Sequence, residues 1–201
     1  MSFWQSFVFT FVPLFIVIDT LGNLPIVLTL SEGMTTQARN RMIHVAMLTA
    51  TVVGLIFLFF GKFILNVMNI SVGSLTIAGG IILLILSIRY LLSGRVIEAQ
   101  REEMVAIVPI GTPLVVGPAT ITTLLLLSAD VNYSLGVILL SLATNLLISW
   151  VAFLMGNRIA SFLGKGGLKA ISQVFNLLLA AIAVSMVIHG LELVGIVKLA
   201  Q

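Results

Sequence analysis

Two short stretches concentrate the residues able to do chemistry in an otherwise apolar chain. The first, Asp19-Thr20-Leu21-Gly22-Asn23-Leu24-Pro25, holds a carboxylate, a hydroxyl, an amide and two residues that disturb helices. The second, Pro109-Ile110-Gly111-Thr112-Pro113-Leu114-Val115-Val116-Gly117-Pro118, is followed by Thr120, Thr122 and Thr123. All five prolines lie in the two apolar segments that carry these stretches: Pro13 and Pro25 in one, Pro109, Pro113 and Pro118 in the other. Proline removes a backbone donor and crowds the preceding turn, so both segments are expected to be interrupted helices. Gly22 and Asn23 are expected to take a left-handed or extended conformation at the first break. Backbone N–H and C=O groups opened inside a membrane need partners. A ligand carrying both an ammonium and a carboxylate would satisfy both kinds. The positive end of a half-helix starting at Gly117-Pro118 suits the carboxylate.

Asp19 is the only charge in its segment. Counted from Phe7, twelve residues at about 1.5 Å each put it roughly 18 Å deep. An ionised Asp at the centre of a membrane helix costs about 2.5–3.5 kcal/mol even on lenient insertion scales. It must therefore face the bundle or a wet cavity, accept hydrogen bonds, or carry a proton. Two readings stand side by side: a site for a coupling ion or substrate amine, and a structural cap for a following half-helix that Pro25 helps to start. Thr120, Thr122 and Thr123 read as part of the complementary wall, Thr122 and Thr123 equally as hydroxyls bonded back to their own helix. Asn145 reads as a substrate contact or as an interhelical hydrogen bond of about 0.6 kcal/mol. Gln173 and Asn176 carry the same two readings, and Gly79-Gly80 and Ala180-Ala181 read as close packing. His189, Glu192 and Lys198 read as a proton relay or, more readily, as an interfacial charge pattern, and His44 reads as interfacial too.

The elements that must position these residues are membrane helices. Of 201 residues, 60% are hydrophobic and 8% charged, whereas a soluble domain has roughly a quarter charged. No alternating ten-residue segments of a barrel occur. Charge-free runs mark six spans, at about 3–30, 42–61, 63–88 with a turn near 66–73, 105–129, 133–156 and 170–191. The first is interrupted at 19–25 and the fourth at 109–118. Counting basic residues orients them. With the N-terminus outside, Arg39, Arg41, Arg89, Arg95, Arg101, Arg158, Lys165 and Lys169 fall on the inner side, and only Lys62 and Lys198 outside. Both termini are then non-cytoplasmic, and the basic residues set topology rather than bind nucleic acid. The first five residues hold no Lys or Arg, so a cleaved signal is not expected.

The hydrophilic stretch Ser93 to Glu103 divides the chain into a repeat at 1–92, a cytoplasmic linker at 93–104 and a second repeat at 105–201. Three spans per half place the second half upside down relative to the first. Gly22 with Gly117, Thr49 with Thr144 and Gly61 with Gly156 echo at one offset. The expected fold is an all-α membrane protein of six transmembrane helices in two inverted three-helix repeats, with helices 1 and 4 interrupted. Paired broken helices at corresponding places mark a midplane binding site in secondary transporters.

Enzyme readings lack their parts. There is no HExxH and no GxxxxGK[ST], so neither the usual zinc-protease site nor a P-loop ATPase is expected. An aspartic dyad needs two carboxylates sharing a site, and Asp19 alone lies deep. There are no cysteines. No metal or cofactor is expected beyond a coupling proton or sodium ion.

At Asp19-Thr20-Leu21-Gly22-Asn23-Leu24-Pro25 and Gly117-Pro118-Ala119-Thr120-Ile121-Thr122-Thr123 the chain resembles the MarC/SnatA family of inner-membrane proteins, a group similar to LysE-type exporters. Length, six spans and the run Leu177 to Val184 fit as well, so the resemblance covers almost the whole chain. Thr20 departs from the proline common in the family signature, and Asn176 from a glycine. The resemblance implies transport of small neutral amino acids such as glycine and alanine. The site residues it carries over are Asp19, Gly22, Asn23, Pro25, Gly117 and Pro118. Thr120, Thr123 and Asn145 join them on the reading of the residues. An exporter of another metabolite and a non-transporting accessory protein remain as alternatives.

Overall fold

A computed structural model describes residues 1–93 and 115–197. Among the described residues there are seven helices and no strand: α1 Phe3–Ile18, α2 Thr20–Leu30, α3 Thr36–Val67, α4 Val72–Ser93, α5 Pro118–Ala129, α6 Leu135–Leu154 and α7 Gly156–Leu193. Local chemistry accounts for their ends. Ser2 and Gln5 form a reciprocal capping box at the start of α1, and Thr35 accepts the Ala38 N–H at the start of α3. Pro118 occupies the first position of α5, where its missing N–H is not needed. Gly164, with φ 67° and ψ 170°, puts a kink into α7.

Five stretches are long and apolar enough to cross a membrane: Phe3–Leu30, Thr36–Val67, Val72–Arg89, Leu135–Leu154 and Gly166–Leu193. The sixth expected span is represented by the shorter apolar helix Pro118–Ala129. Its first part, with the Pro109 to Leu114 portion of the second broken stretch, lies outside the described residues, as does the linker after Ser93.

Several boundaries move. The second span was expected to end at Gly61, but α3 continues through Lys62 to Val67. The Phe63–Val67 segment, expected in the third span, is therefore the end of α3. The turn falls where expected, with Asn69 left-handed at φ 54°. The last helix is interrupted at the non-helical Gly164, and its membrane-crossing part, Gly166–Leu193, starts close to the expected Ala170, with a further helical piece from Gly156 before it. Apolar runs mark what the bilayer holds, while a helix extends into the interface as far as its caps permit.

The contacts define relative directions. Thr10 meets Ser141 and Thr20 meets Ser149, so α1–α2 runs parallel to α6. Arg39 reaches the end of α6, and a Cβ on Gly54 would touch Leu142, so α3 runs antiparallel to α6. Lys62 reaches Ser128 at the end of α5, making α3 and α5 parallel. α4 packs along α7 in opposite directions, Gly73 beside Gly190 and Gly80 beside Ala183, so closely that a Cβ at Gly80 or Gly190 would strike the neighbour's backbone. Small residues permit such approach where lipid supplies no hydrophobic drive. The main buried cluster joins Leu14, Ile18, Leu24, Met47, Leu124 and Leu142. Elsewhere large apolar side chains face outward, Phe59, Phe63, Leu147 and Leu177 among them, as lipid contact requires.

α3 also carries two cations that close other helices. Arg39 Nη2 donates to the Phe153 and Leu154 carbonyls at 3.2 and 2.8 Å, while Lys62 Nζ donates to the Ser128 carbonyl at 2.8 Å. The free carbonyls of a helix C-terminus carry partial negative charge, which a cation offsets. Twenty-three residues separate the two, about 34 Å along a helix, close to the thickness of the hydrocarbon core at about 30 Å. Replacing buried Arg39 by alanine is expected to cost about 1.5–3 kcal/mol for the lost charged hydrogen bonds, a fall of roughly 3–12 °C in melting midpoint. Arg41→Ala, at an exposed position, is expected to leave it unchanged. Circular dichroism melts of the two variants in one detergent check this.

Candidate functional site

The interruption between α1 and α2 is a single residue. Asp19 takes φ 48° and ψ 52°, ending α1 and starting α2. The expected opening over 19–25 is thereby corrected. Gly22 and Asn23 are helical, and Pro25 lies inside α2 instead of beginning it. Asp tolerates the left-handed region better than most side chains because its short polar group can bond locally. Asp19 Oδ1 accepts the Gly22 N–H at 3.0 Å, and the Asn23 Nδ2 donates to the Ile18 carbonyl at 3.0 Å. A Cβ added at Gly22 would fall on the Asp19 carboxylate. Glycine stands there for space, so the freedom of backbone expected of it is not used. Asp19 is 5% exposed. It lies about 24 Å from one end of the α1–α2 rod and 16 Å from the other, near the middle of the span.

The second interruption meets the first. Gly117 is extended, at φ −88° and ψ −174°, and no side chain caps α5. Thr120 Oγ1 reaches the Val17 carbonyl at 3.5 Å and the Val115 carbonyl at 3.3 Å. Val115 and Val116 are buried in the cluster that holds Ile18 and Leu24. Ala119 packs with Val17, Leu83, Leu179 and Ala183. The start of α5 thus lies against the end of α1. Thr122 Oγ1 bonds back to Pro118 at 2.9 Å, and Thr123 is buried.

α6 splints the first break. Thr10 Oγ1 and Ser141 Oγ lie 2.7 Å apart, Asn145 Nδ2 donates to the Phe11 carbonyl at 3.2 Å, and Thr20 and Ser149 share a hydrogen bond beyond the break. Asn145 is therefore placed beside Phe11, eight residues before Asp19 and about 12 Å away along α1. Its Nδ2 also donates to the Ser141 carbonyl, while its Oδ1 has no partner. Of the residues singled out in sequence, the structure brings Asp19, Gly22, Asn23, Gly117, Pro118 and Thr120 to one junction. Thr10, Ser141 and Ser149 were missed and Thr20 was given no bonding role, although Ser141, Asn145 and Ser149 repeat every four residues in an apolar helix, a legible polar stripe.

Toward the helix ends, Trp150 Nε1 donates to His44 Nδ1 at 2.9 Å. His189 Nδ1 lies 3.5 Å from Glu192 Oε2, both partly exposed. Lys198 lies outside the described residues.

These features define a multi-helix integral membrane protein with an interrupted first span and a polar junction at mid-depth. The chain belongs to the MarC family of integral membrane proteins, whose profile matches residues 4–194. A UPF0056 membrane protein of Archaeoglobus fulgidus is 34% identical over 199 residues, covering 94% of this chain and 93% of the relative. The UPF0056 inner membrane protein YhgN of Escherichia coli is 31% identical over 187 residues, covering 90% and 93%. A UPF0056 membrane protein of Methanocaldococcus jannaschii is 27% identical over 199 residues, covering 94% and 97%. No solved structure matches the chain.

The overlap at Gly22 yields a double-mutant test. Gly22→Ala is expected to lower the melting midpoint, since displacing a helix cap costs about 1 kcal/mol. In an Asp19→Gly background the same change is expected to cost nothing, because no carboxylate fills the space. Thermal melts of the four proteins measure that coupling.

Proposed function

We propose that the chain is a secondary transporter of small neutral amino acids, glycine and alanine, working by alternating access in the inner membrane. The observation that carries the reading is the junction itself: a buried carboxylate at a broken helix, set against the uncapped start of a second helix, at mid-depth. The N–H groups opening α5 at Gly117-Pro118 suit a carboxylate, and Asp19 suits an ammonium or a coupling proton. Pro25 and Gly22 shape the wall beside it, and Thr123 and Asn145 line the approach. The identity of the amino acid rests on the family resemblance. Energy would come from an ion or solute gradient, and the chain would act as a carrier rather than an enzyme.

Two further observations favour inverted repeats. Buried Ile43, Met47, Ala50, Gly54, Leu58 and Gly61 stand at a constant offset of 95 from buried Ile138, Leu142, Asn145, Ser149, Phe153 and Gly156. Helix packing pairs accordingly, α2 on α7 answering α5 on α4. The basic residues set the orientation, with both termini outside. The printed name of the Escherichia coli relative supports placement in an inner membrane.

Counterflow of radiolabelled alanine and glycine in proteoliposomes tests the proposal without requiring a gradient. Wild type is expected to exchange both. Asp19→Asn keeps the cap oxygen for Gly22 but removes the charge, so it is expected to slow exchange at least tenfold without lowering the melting midpoint. Absence of exchange by folded wild-type protein would reject the amino acid reading and favour export of another metabolite or an accessory role. Full activity in the Asn variant would make Asp19 a cap only.

A further inference from the structure

We propose that Ser172 and Asn176 of α7 form a third wall of the junction and receive the ammonium group of the transported amino acid. This rests on the transport reading above and adds a recognition element to it. The starting observation is an imbalance. Asn176 is 6% exposed, yet its Oδ1 has no hydrogen-bond partner, and the Ser172 Oγ one turn earlier is buried and equally unpartnered. Buried polar atoms are almost always satisfied, and an orphaned acceptor costs about the full desolvation of the group. Two such atoms at i and i+4 share one helix face, so the deficit is local and directed.

That face points to the junction. Phe175, next to Asn176 but about 100° round the helix, brings α7 alongside α1, its ring meeting the Phe15 ring edge-on at 6.2 Å, one turn before Asp19. Leu179, three residues beyond Asn176 and on the same face, packs with Val17 and Ala119, which flank the two breaks. Asn176 and Ser172 therefore continue, turn by turn, the stripe that touches both interruptions.

The chemistry of the wall selects the ligand. An amide Oδ1 only accepts, and a hydroxyl accepts readily; a primary ammonium carries three N–H donors and no acceptor. With Asp19 these two oxygens match the three donors. The opposite end of the amino acid would meet the uncapped N–H groups of α5. An orphaned acceptor that lowers the stability of the empty protein but is satisfied on binding is a sign of a ligand contact.

Stability and affinity should move in opposite directions. Asn176→Leu removes the orphan and is expected to melt at or above wild type without substrate. It is also expected to raise the half-saturation concentration for alanine counterflow about ten- to a hundredfold, the loss of one hydrogen bond to a charged group, with the maximal rate little changed. Alanine at the wild-type half-saturation concentration should raise the melting midpoint of wild type and barely move that of the Leu variant. Asn176→Asp, which keeps an oxygen in place, should retain the wild-type half-saturation within a few fold. Asn176→Gly carries the same test without added bulk if leucine prevents folding. Wild-type half-saturation in the Leu or Gly variant would overturn the inference while leaving the transport reading intact. A wild type that neither exchanges nor is stabilised by glycine or alanine would overturn the transport reading and this inference with it.

Discussion

A bilayer interior offers no water to a backbone group that loses its helical partner, so the break at Asp19 has to be repaired by protein atoms. The structure does this with side chains a few residues away. The Asp19 carboxylate takes the Gly22 N–H, the Asn23 amide gives to the Ile18 carbonyl, and Thr120 reaches the Val17 carbonyl from the second half. Gly22 leaves the room that the carboxylate occupies. The polar residues of the first signature thus form a set, and each is intelligible only through the backbone group it satisfies. The second half has to approach closely enough to contribute, which is why Val115 and Val116 are buried against Ile18 and Leu24.

Around this weak point the rest of the chain acts as a frame. α6 lies along both α1 and α2 and bonds to each side of the break through Ser141, Asn145 and Ser149. α3 runs unbroken for 32 residues and closes the ends of α5 and α6 with Lys62 and Arg39. On the other side, α4 and α7 meet through glycines with their backbones almost in contact. Close packing in lipid depends on shape more than on hydrophobic drive, so these glycines hold one half to the other.

Charge-free runs, the turn near Asn69 and the interruption of the first segment were legible because composition and proline leave strong local marks. The location of the break within that segment was not. Proline drew attention to Pro25 and glycine to Gly22, yet the left-handed residue is Asp19, whose side chain supplies its own compensation. Local propensity names the residues able to disturb a helix. Which one does so depends on what the neighbouring helices provide. The charged stretch around Lys165 reads as a loop, and the backbone does leave the helix there, at Gly164; what stayed hidden is the helical piece that starts at Gly156 on the near side of that break. Ser141 and Ser149 went unremarked because a single serine in an apolar helix carries little signal; only taken together with Asn145, at every fourth residue, do they mark a polar face. Asn176 reads in sequence as either a substrate contact or an interhelical bond, and only the structure shows that its Oδ1 meets no protein partner.

The persistence of the break is itself an argument. A left-handed non-glycine residue costs about 1–2 kcal/mol relative to continuing the helix, and a buried carboxylate adds its desolvation. A chain that needed only to cross the bilayer and pack would gain by replacing Asp19 with leucine and letting α1 and α2 fuse. Strain kept at one residue, supported by hydrogen bonds from two other helices and placed at mid-depth, is the pattern by which an observed backbone outlier suggests function. The same reasoning applies to the unpartnered oxygens of Asn145 and Asn176, which a purely structural interior would exchange for apolar atoms of similar shape.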